Sequence, residues 1–114
     1  MKLAFSTVGC PDWSFAEVVT TAKELGFDGV EIRGIEDEMY APKIDIFKDS
    51  KIEKTKARIA KMGFEISLLA SESCLAVLGE KEQARAEAKD YIDLAEKLGT
   101  KYIRVMCTNV PGKD

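Results

Sequence analysis

Glu31, Arg33 and Arg104 are charged residues set inside short apolar stretches. A carboxylate beside two guanidinium groups can grip sugar hydroxyls or a phosphate, because arginine's planar fork matches oxyanion geometry. The same residues can instead form a structural ion-pair layer. Trp13 offers a flat π surface on which the C–H face of a sugar ring stacks, or a hydrophobic plug. Ser71, Glu72 and Asn109 are hydroxyl-binding types near the ends of apolar stretches. Cys10, Cys74 and Cys107 could bind zinc as soft ligands, yet none forms a Cys-x-x-Cys pair, and isolated cysteines are commonly small buried hydrophobes. The run Glu36-Asp37-Glu38 attracts a hard cation or simply forms a solvated loop. Histidine is absent, which removes the commonest acid–base residue and metal ligand near neutral pH.

The elements that must position these residues announce themselves through a phrase used three times. Lys-or-Glu, an apolar residue and glycine recur at Gly26, Gly63 and Gly99, each followed by an apolar run. The phrase reads as a helix end, a glycine stop and a strand, since glycine takes positive φ without Cβ strain. The spacing predicts strands at Leu3–Thr7, Val30–Arg33, Ile66–Ser71 and Tyr102–Cys107. Helix 1 starts at Ser14, where Ser14-Phe15-Ala16-Glu17 is a capping box. Its apolar stripe is Phe15, Val18, Val19, Ala22 and Leu25. Helix 2 starts near Ser50 with a second box, Ser50-Lys51-Ile52-Glu53, and presents Ile52, Thr55, Ile59 and Met62. Helix 3 runs from about Glu80 to Leu98 and buries Ala84, Ala88, Tyr91, Ile92, Ala95 and Leu98. The long segment between strand 2 and helix 2, Gly34–Asp49, is expected to be functional or mobile.

The order is βαβαβαβ over a single domain of residues 1–114, an α/β class with parallel strands. One parity of the strands is apolar throughout: Leu3, Phe5, Val30, Ile32, Ile66, Leu68, Ala70, Ile103 and Val105. The other holds Ala4, Ser6, Glu31, Arg33, Ser67, Leu69, Ser71, Tyr102, Arg104 and Met106. A doubly wound sheet has helices on both faces and apolar residues on both. A barrel has an inner face where charges near the C-terminal rim form a site. The charged parity therefore predicts half of a (βα)8 TIM barrel, with four strands and three helices.

Composition narrows the class. Of the 114 residues 46% are hydrophobic and 32% charged, ordinary for a globular chain. The net charge of −3 gives no basic footprint for nucleic acid. The apolar runs are too short to span a bilayer. The opening residues lack a signal-peptide core, and the cysteine count is odd. The expected location is cytoplasmic, with the thiols reduced.

Met1-Lys2-Leu3-Ala4-Phe5-Ser6-Thr7 followed by Pro11-Asp12-Trp13-Ser14 resembles the opening of the xylose isomerase-like TIM barrels, which include the sugar phosphate isomerases and epimerases. Leu25-Gly26-Phe27-Asp28-Gly29-Val30-Glu31 is similar to that family's second strand. Leu98-Gly99-Thr100-Lys101-Tyr102-Ile103-Arg104-Val105 is similar to its fourth-strand entry. The resemblance spans the chain but only the N-terminal half of a family member. It implies a metal-dependent isomerase or epimerase acting on a sugar or sugar phosphate, with Mn²⁺, Mg²⁺ or Co²⁺ held by carboxylates and a histidine. Those ligands come mostly from later strands, so no metal ligand or catalytic residue carries over, and the isolated half is expected to be inactive. Glu31 and Arg104 take family-typical inward positions. The apurinic-site endonuclease branch places histidines at the ends of strands 3 and 4. This chain has Ser71-Glu72-Ser73 and Cys107-Thr108-Asn109 there, which argues against that branch.

The expected substrate-binding set is Trp13, Glu31, Arg33, Ser71 and Arg104, with no metal ligand in this chain. The alternative is a non-catalytic half-barrel that homodimerises through its exposed sheet edges into a closed barrel.

Overall fold

The computed structural model describes residues 2–74 and 81–106, apart from the side chains of Glu72, Cys74 and Lys81. Four strands alternate with three helices. They are β1 (Ala4–Ser6), α1 (Phe15–Glu24), β2 (Gly29–Ile32), α2 (Ile52–Lys61), β3 (Glu65–Cys74), α3 (Lys81–Leu98) and β4 (Ile103–Met106). The sheet order is β1-β2-β3-β4, and every pairing is parallel. A doubly wound sheet reverses its strand order partway. This one never reverses, so crossovers of one hand lay all three helices on the same face. That is the geometry of a partial barrel.

Local chemistry explains each helix. Ser14 caps α1: its hydroxyl accepts from the Glu17 amide at 3.2 Å, and the Ser14 amide donates to Glu17 Oε1 at 3.0 Å. Such a cap stabilises a helix by about 1 kcal/mol. Phe15, Val18, Val19 and Ala22 are buried, as their spacing requires. Leu25 is 70% exposed, against expectation. It follows the last helical residue and precedes Gly26 at φ +85°, so it has left the inward stripe.

The second capping box does not form. The N-cap of α2 is Lys51 and makes no side-chain cap, while the Lys51 and Ile52 amides donate to the Lys48 carbonyl at 2.8 and 2.9 Å. A backbone turn thus does the work expected of Ser50. The predicted stripe holds: Ile52, Thr55 and Ile59 are buried and Met62 packs against the core.

On α3, Ala84, Tyr91 and Ala95 are buried as expected, but Leu94 replaces Ile92, which is 53% exposed. Tyr91 sets that rotation. Its hydroxyl donates to the Met39 carbonyl at 3.2 Å and accepts from the Ala41 amide at 3.0 Å. Fixing Tyr91 inward turns Leu94 in and Ile92 out.

The same bonds show that the segment between β2 and α2 belongs to the core. Short 3-10 turns at Ala41–Lys43 and Asp45–Phe47 seat Ala41, Ile44 and Phe47 in it, and Ile35 is fully buried. Phe47 meets Phe15 of α1 edge-on, with ring centroids 6.2 Å apart.

The strand alternation departs from expectation at two places in β3, one beside Val30 and Glu31 and a second between Ala70 and Cys74, where four residues of β3 span two of β4. Val30 pairs with Ile66, but Glu31 pairs with Leu68, so Ser67 is an extra residue in β3. A bulge of this kind shifts the side chains that follow it, here Leu68 to Ala70, to the opposite face. The Ser67 hydroxyl donates to the Val30 carbonyl at 3.3 Å. Beyond it, Leu69 lies under the helices with Ile32 and Ile103 and is fully buried. Leu68 and Ala70 take the inner face, the reverse of the simple alternation. Gly29 sits where β2 and β3 approach closely; a Cβ there would lie 2.6 Å from the Glu65 carbonyl oxygen. No helix among the described residues is long and apolar enough to cross a membrane.

Candidate functional site

In a barrel, chemistry collects where the strands end. Here those ends are tied together by Thr7, just past β1. Thr7 is fully buried, and its hydroxyl accepts from the Arg33 amide at 2.7 Å and the Gly34 amide at 2.9 Å. These bonds satisfy two backbone donors where β2 stops. They also fix the position from which the Arg33 side chain leaves.

Trp13 is held at the same rim. The loop after β1 and the turn after β2 are clasped by two backbone bonds, from Glu36 N to Trp13 O at 2.9 Å and from Asp37 N to Pro11 O at 2.7 Å. Reaching both acceptors puts Glu36 and Asp37 at φ +52° and +66°. Non-glycine residues rarely adopt that region, at a cost of roughly 1–2 kcal/mol each. Trp13 is half-buried and packs against the core, so its indole has both a seat and an open side. Cys10, in the same loop, has its thiol pKa raised by burial and by the nearby Asp12 and Glu17 carboxylates. A thiol held protonated is a poor metal ligand and a poor nucleophile.

Glu31 and Arg104 take the inner face. Glu31 aligns with Ser6 and Leu68, and Arg104 aligns with Ala70. Glu31 is half-buried and Arg104 exposed. Arg104 Nη2 donates to the Ser71 carbonyl at 3.1 Å. Arg33 is half-buried at the rim, and its charge acts on Tyr91. Burial raises the Tyr91 pKa, and the Ala41 bond and the Arg33 charge oppose that rise.

Ser71 is not brought to this face. It is fully buried where the β3–β4 register shifts after Ala70, and its hydroxyl is spent donating to the Arg104 carbonyl at 2.5 Å. Ser73 is buried likewise. The structure therefore brings Glu31 and Arg104 onto one face and places Trp13 and Arg33 on the rim. Asn109 and Cys107 lie outside the described residues, as do the side chains of Glu72 and Cys74, so the three-thiol arrangement is not described. Among the described residues, no three His, Cys, Asp or Glu side chains converge as a metal site.

Sequence reasoning missed Thr7 as a site residue. Its signal was a hydroxyl at the end of an apolar strand, the type that accepts from nearby backbone amides. A groove of about 530 Å³ lies elsewhere, lined by Lys2, Phe64, Ile66 and Thr100 among others. It opens at the N-terminal ends of the strands, the end that serves stability in barrels, and away from Glu31, Arg33 and Arg104.

Comparison with known proteins agrees with this architecture. The family described as Xylose isomerase-like TIM barrel matches residues 19–114. A crystal structure of the probable 3-DHS dehydratase AsbF, involved in petrobactin synthesis in Bacillus anthracis, superposes with a TM-score of 0.73 at 20% identity. The match covers 96% of this chain and 39% of AsbF, so the chain spans about two fifths of that structure's length. At that identity the likeness shows the fold. No curated protein matches the chain.

Proposed function

This chain belongs to the xylose isomerase-like TIM barrel family, and from that premise we propose that it is half of a sugar or sugar phosphate isomerase or epimerase barrel. The observation that carries the reading is the placement of Glu31 and Arg104 together on the helix-free face of the sheet. Isomerisation of a sugar begins with proton removal next to a carbonyl and passes through an enediolate. A carboxylate can receive or hold the proton, and a guanidinium can stabilise the oxyanion. Glu31 takes the first role or orients hydroxyl groups. Arg104 and Arg33 bind the oxyanion or a phosphate, and Trp13 stacks on the ring at the mouth.

The family also implies a divalent metal. The described residues do not converge on a cation by themselves, so no step of this reading runs through one. Paired carboxylates are needed for a full acid–base cycle, and Glu31 supplies one. The isolated half is thus a binding half without turnover.

Trp13 is the single tryptophan, so indole fluorescence reports on the mouth alone. Titration with aldose and ketose phosphates, with and without Mn²⁺, should shift that emission in the wild type. The shift should be lost in Glu31→Gln and weakened in Arg104→Gln. A wild-type emission unmoved by millimolar sugar phosphate would overturn the reading.

A further inference from the structure

Among the described residues the half-barrel has two unpaired edges, the outer sides of β1 and β4, and an inner face without helices. We propose that a second copy of this chain fills both, closing an eight-stranded barrel in which β4 of each copy pairs with β1 of the other. A two-fold axis along the barrel keeps all strands parallel and makes the two junctions identical. No edge is left over, which is how barrels avoid open-ended association. The inference rests on the partial-barrel fold and holds whether or not the isomerase reading does.

Charge identifies the occupant. Barrel interiors are layered, each layer taking four side chains from alternate strands. In an eight-stranded barrel of shear 8, a layer climbs about one residue per strand relative to the hydrogen-bond register. Glu31 on β2 aligns with Leu68 on β3, while Arg104 on β4 aligns with Ala70, two positions further along β3. The climb across two strands cancels that offset. Glu31 and Arg104 therefore lie at one height, on alternate strands, facing inward.

Within one copy this is half a layer. The two-fold axis adds the same two residues from the second copy, in the order glutamate, arginine, glutamate, arginine. Each charge then has opposite charges on both sides, and the ring is neutral. Neither residue forms an ion pair among the described residues, and the bond from Arg104 Nη2 goes to a neutral carbonyl, so both charges are left for this ring. Enclosing an unbalanced charge would be strongly unfavourable, so the ring's neutrality is what permits closure. The neighbouring layer comes from β1 and β3, where Ser6 and Ala70 are small and leave room for the long arginine side chains.

Light scattering after size exclusion, across a concentration series, tests the proposal without any substrate. The wild type should approach a mass of about twice 12.6 kDa as concentration rises. Glu31→Arg and Arg104→Glu each make all four ring charges alike and should weaken association at least tenfold. The double swap restores alternation and should recover dimerisation. Far-UV circular dichroism checks that each variant is folded. If a single reversal does not fold, Glu31→Gln and Arg104→Gln replace it and should weaken association by a smaller factor. A wild type that stays monomeric at all concentrations overturns the proposal and leaves the face to strands of a longer polypeptide. A dimer indifferent to both reversals also overturns it.

Discussion

The Thr7 hydroxyl accepts a 2.7 Å hydrogen bond from the backbone amide of Arg33, across the ends of two adjacent strands. The two residues are far apart in sequence, and the bond sits in a position without water access, since Thr7 is fully buried. Thr7→Val keeps the shape and removes the acceptor, leaving the Arg33 and Gly34 amides without their partner. The expected loss is roughly 1–3 kcal/mol, read as a lower urea midpoint at unchanged m-value. Thr7→Ser should recover most of it. Equal stability of the valine variant and the wild type would show that the bond contributes nothing.

Tyr91 and Tyr40 make stability fall at high pH. Burial raises both pKa values above the ordinary 10.0, and for Tyr40 the 2.6 Å hydrogen bond to Asp90 adds to the rise. A raised folded pKa means the folded state holds its proton more tightly than the unfolded state. The contribution is therefore intact below pH 10 and is lost as pH climbs through the folded values. Thermal midpoints of the wild type should decline above about pH 10. Tyr91→Phe should be less stable at neutral pH, having lost its bonds to Met39 and Ala41, yet show a flatter alkaline decline. A variant with the wild-type slope would remove Tyr91 from this account.

Deleting Ser67 should be tolerated, because the bulge already isolates it. Its removal leaves Ile66 and Leu69 under the helices and Leu68 facing inward. The loss is one weak hydroxyl bond, roughly 1 kcal/mol. Deleting Leu69 should be far worse, since it would bring Ala70 under the helices in place of a fully buried leucine. Urea titrations of the two deletions decide this; comparable losses would refute the register described here.

Much of this architecture was legible because it is written in short-range patterns. The three glycine stops at Gly26, Gly63 and Gly99 do take positive φ. The Ser14 capping box forms, and the alternation from Val30 to Arg33 places Glu31 inward as read. What escaped depends on contacts between segments distant in sequence. The bulge at Ser67 and the shift after Ala70 exist because β3 settles into registers with β2 and β4 that single-strand alternation cannot reveal, and Ser71 is buried beside the second of them. The segment Gly34–Asp49 carries little periodicity, yet Tyr91 reaches across from α3 to organise it. Ser50 lost its capping role to the Lys48 carbonyl, which accepts from the Lys51 and Ile52 amides.

Strand order carries one more consequence, in time rather than in space. Each strand pairs only with the one made just before or just after it, so every contact of the sheet closes a loop of one helix and its connections. The chain can therefore assemble in the order of its synthesis, each new unit docking on a finished neighbour as it leaves the ribosome. Among the described residues, no early strand of the sheet has to wait for a late one.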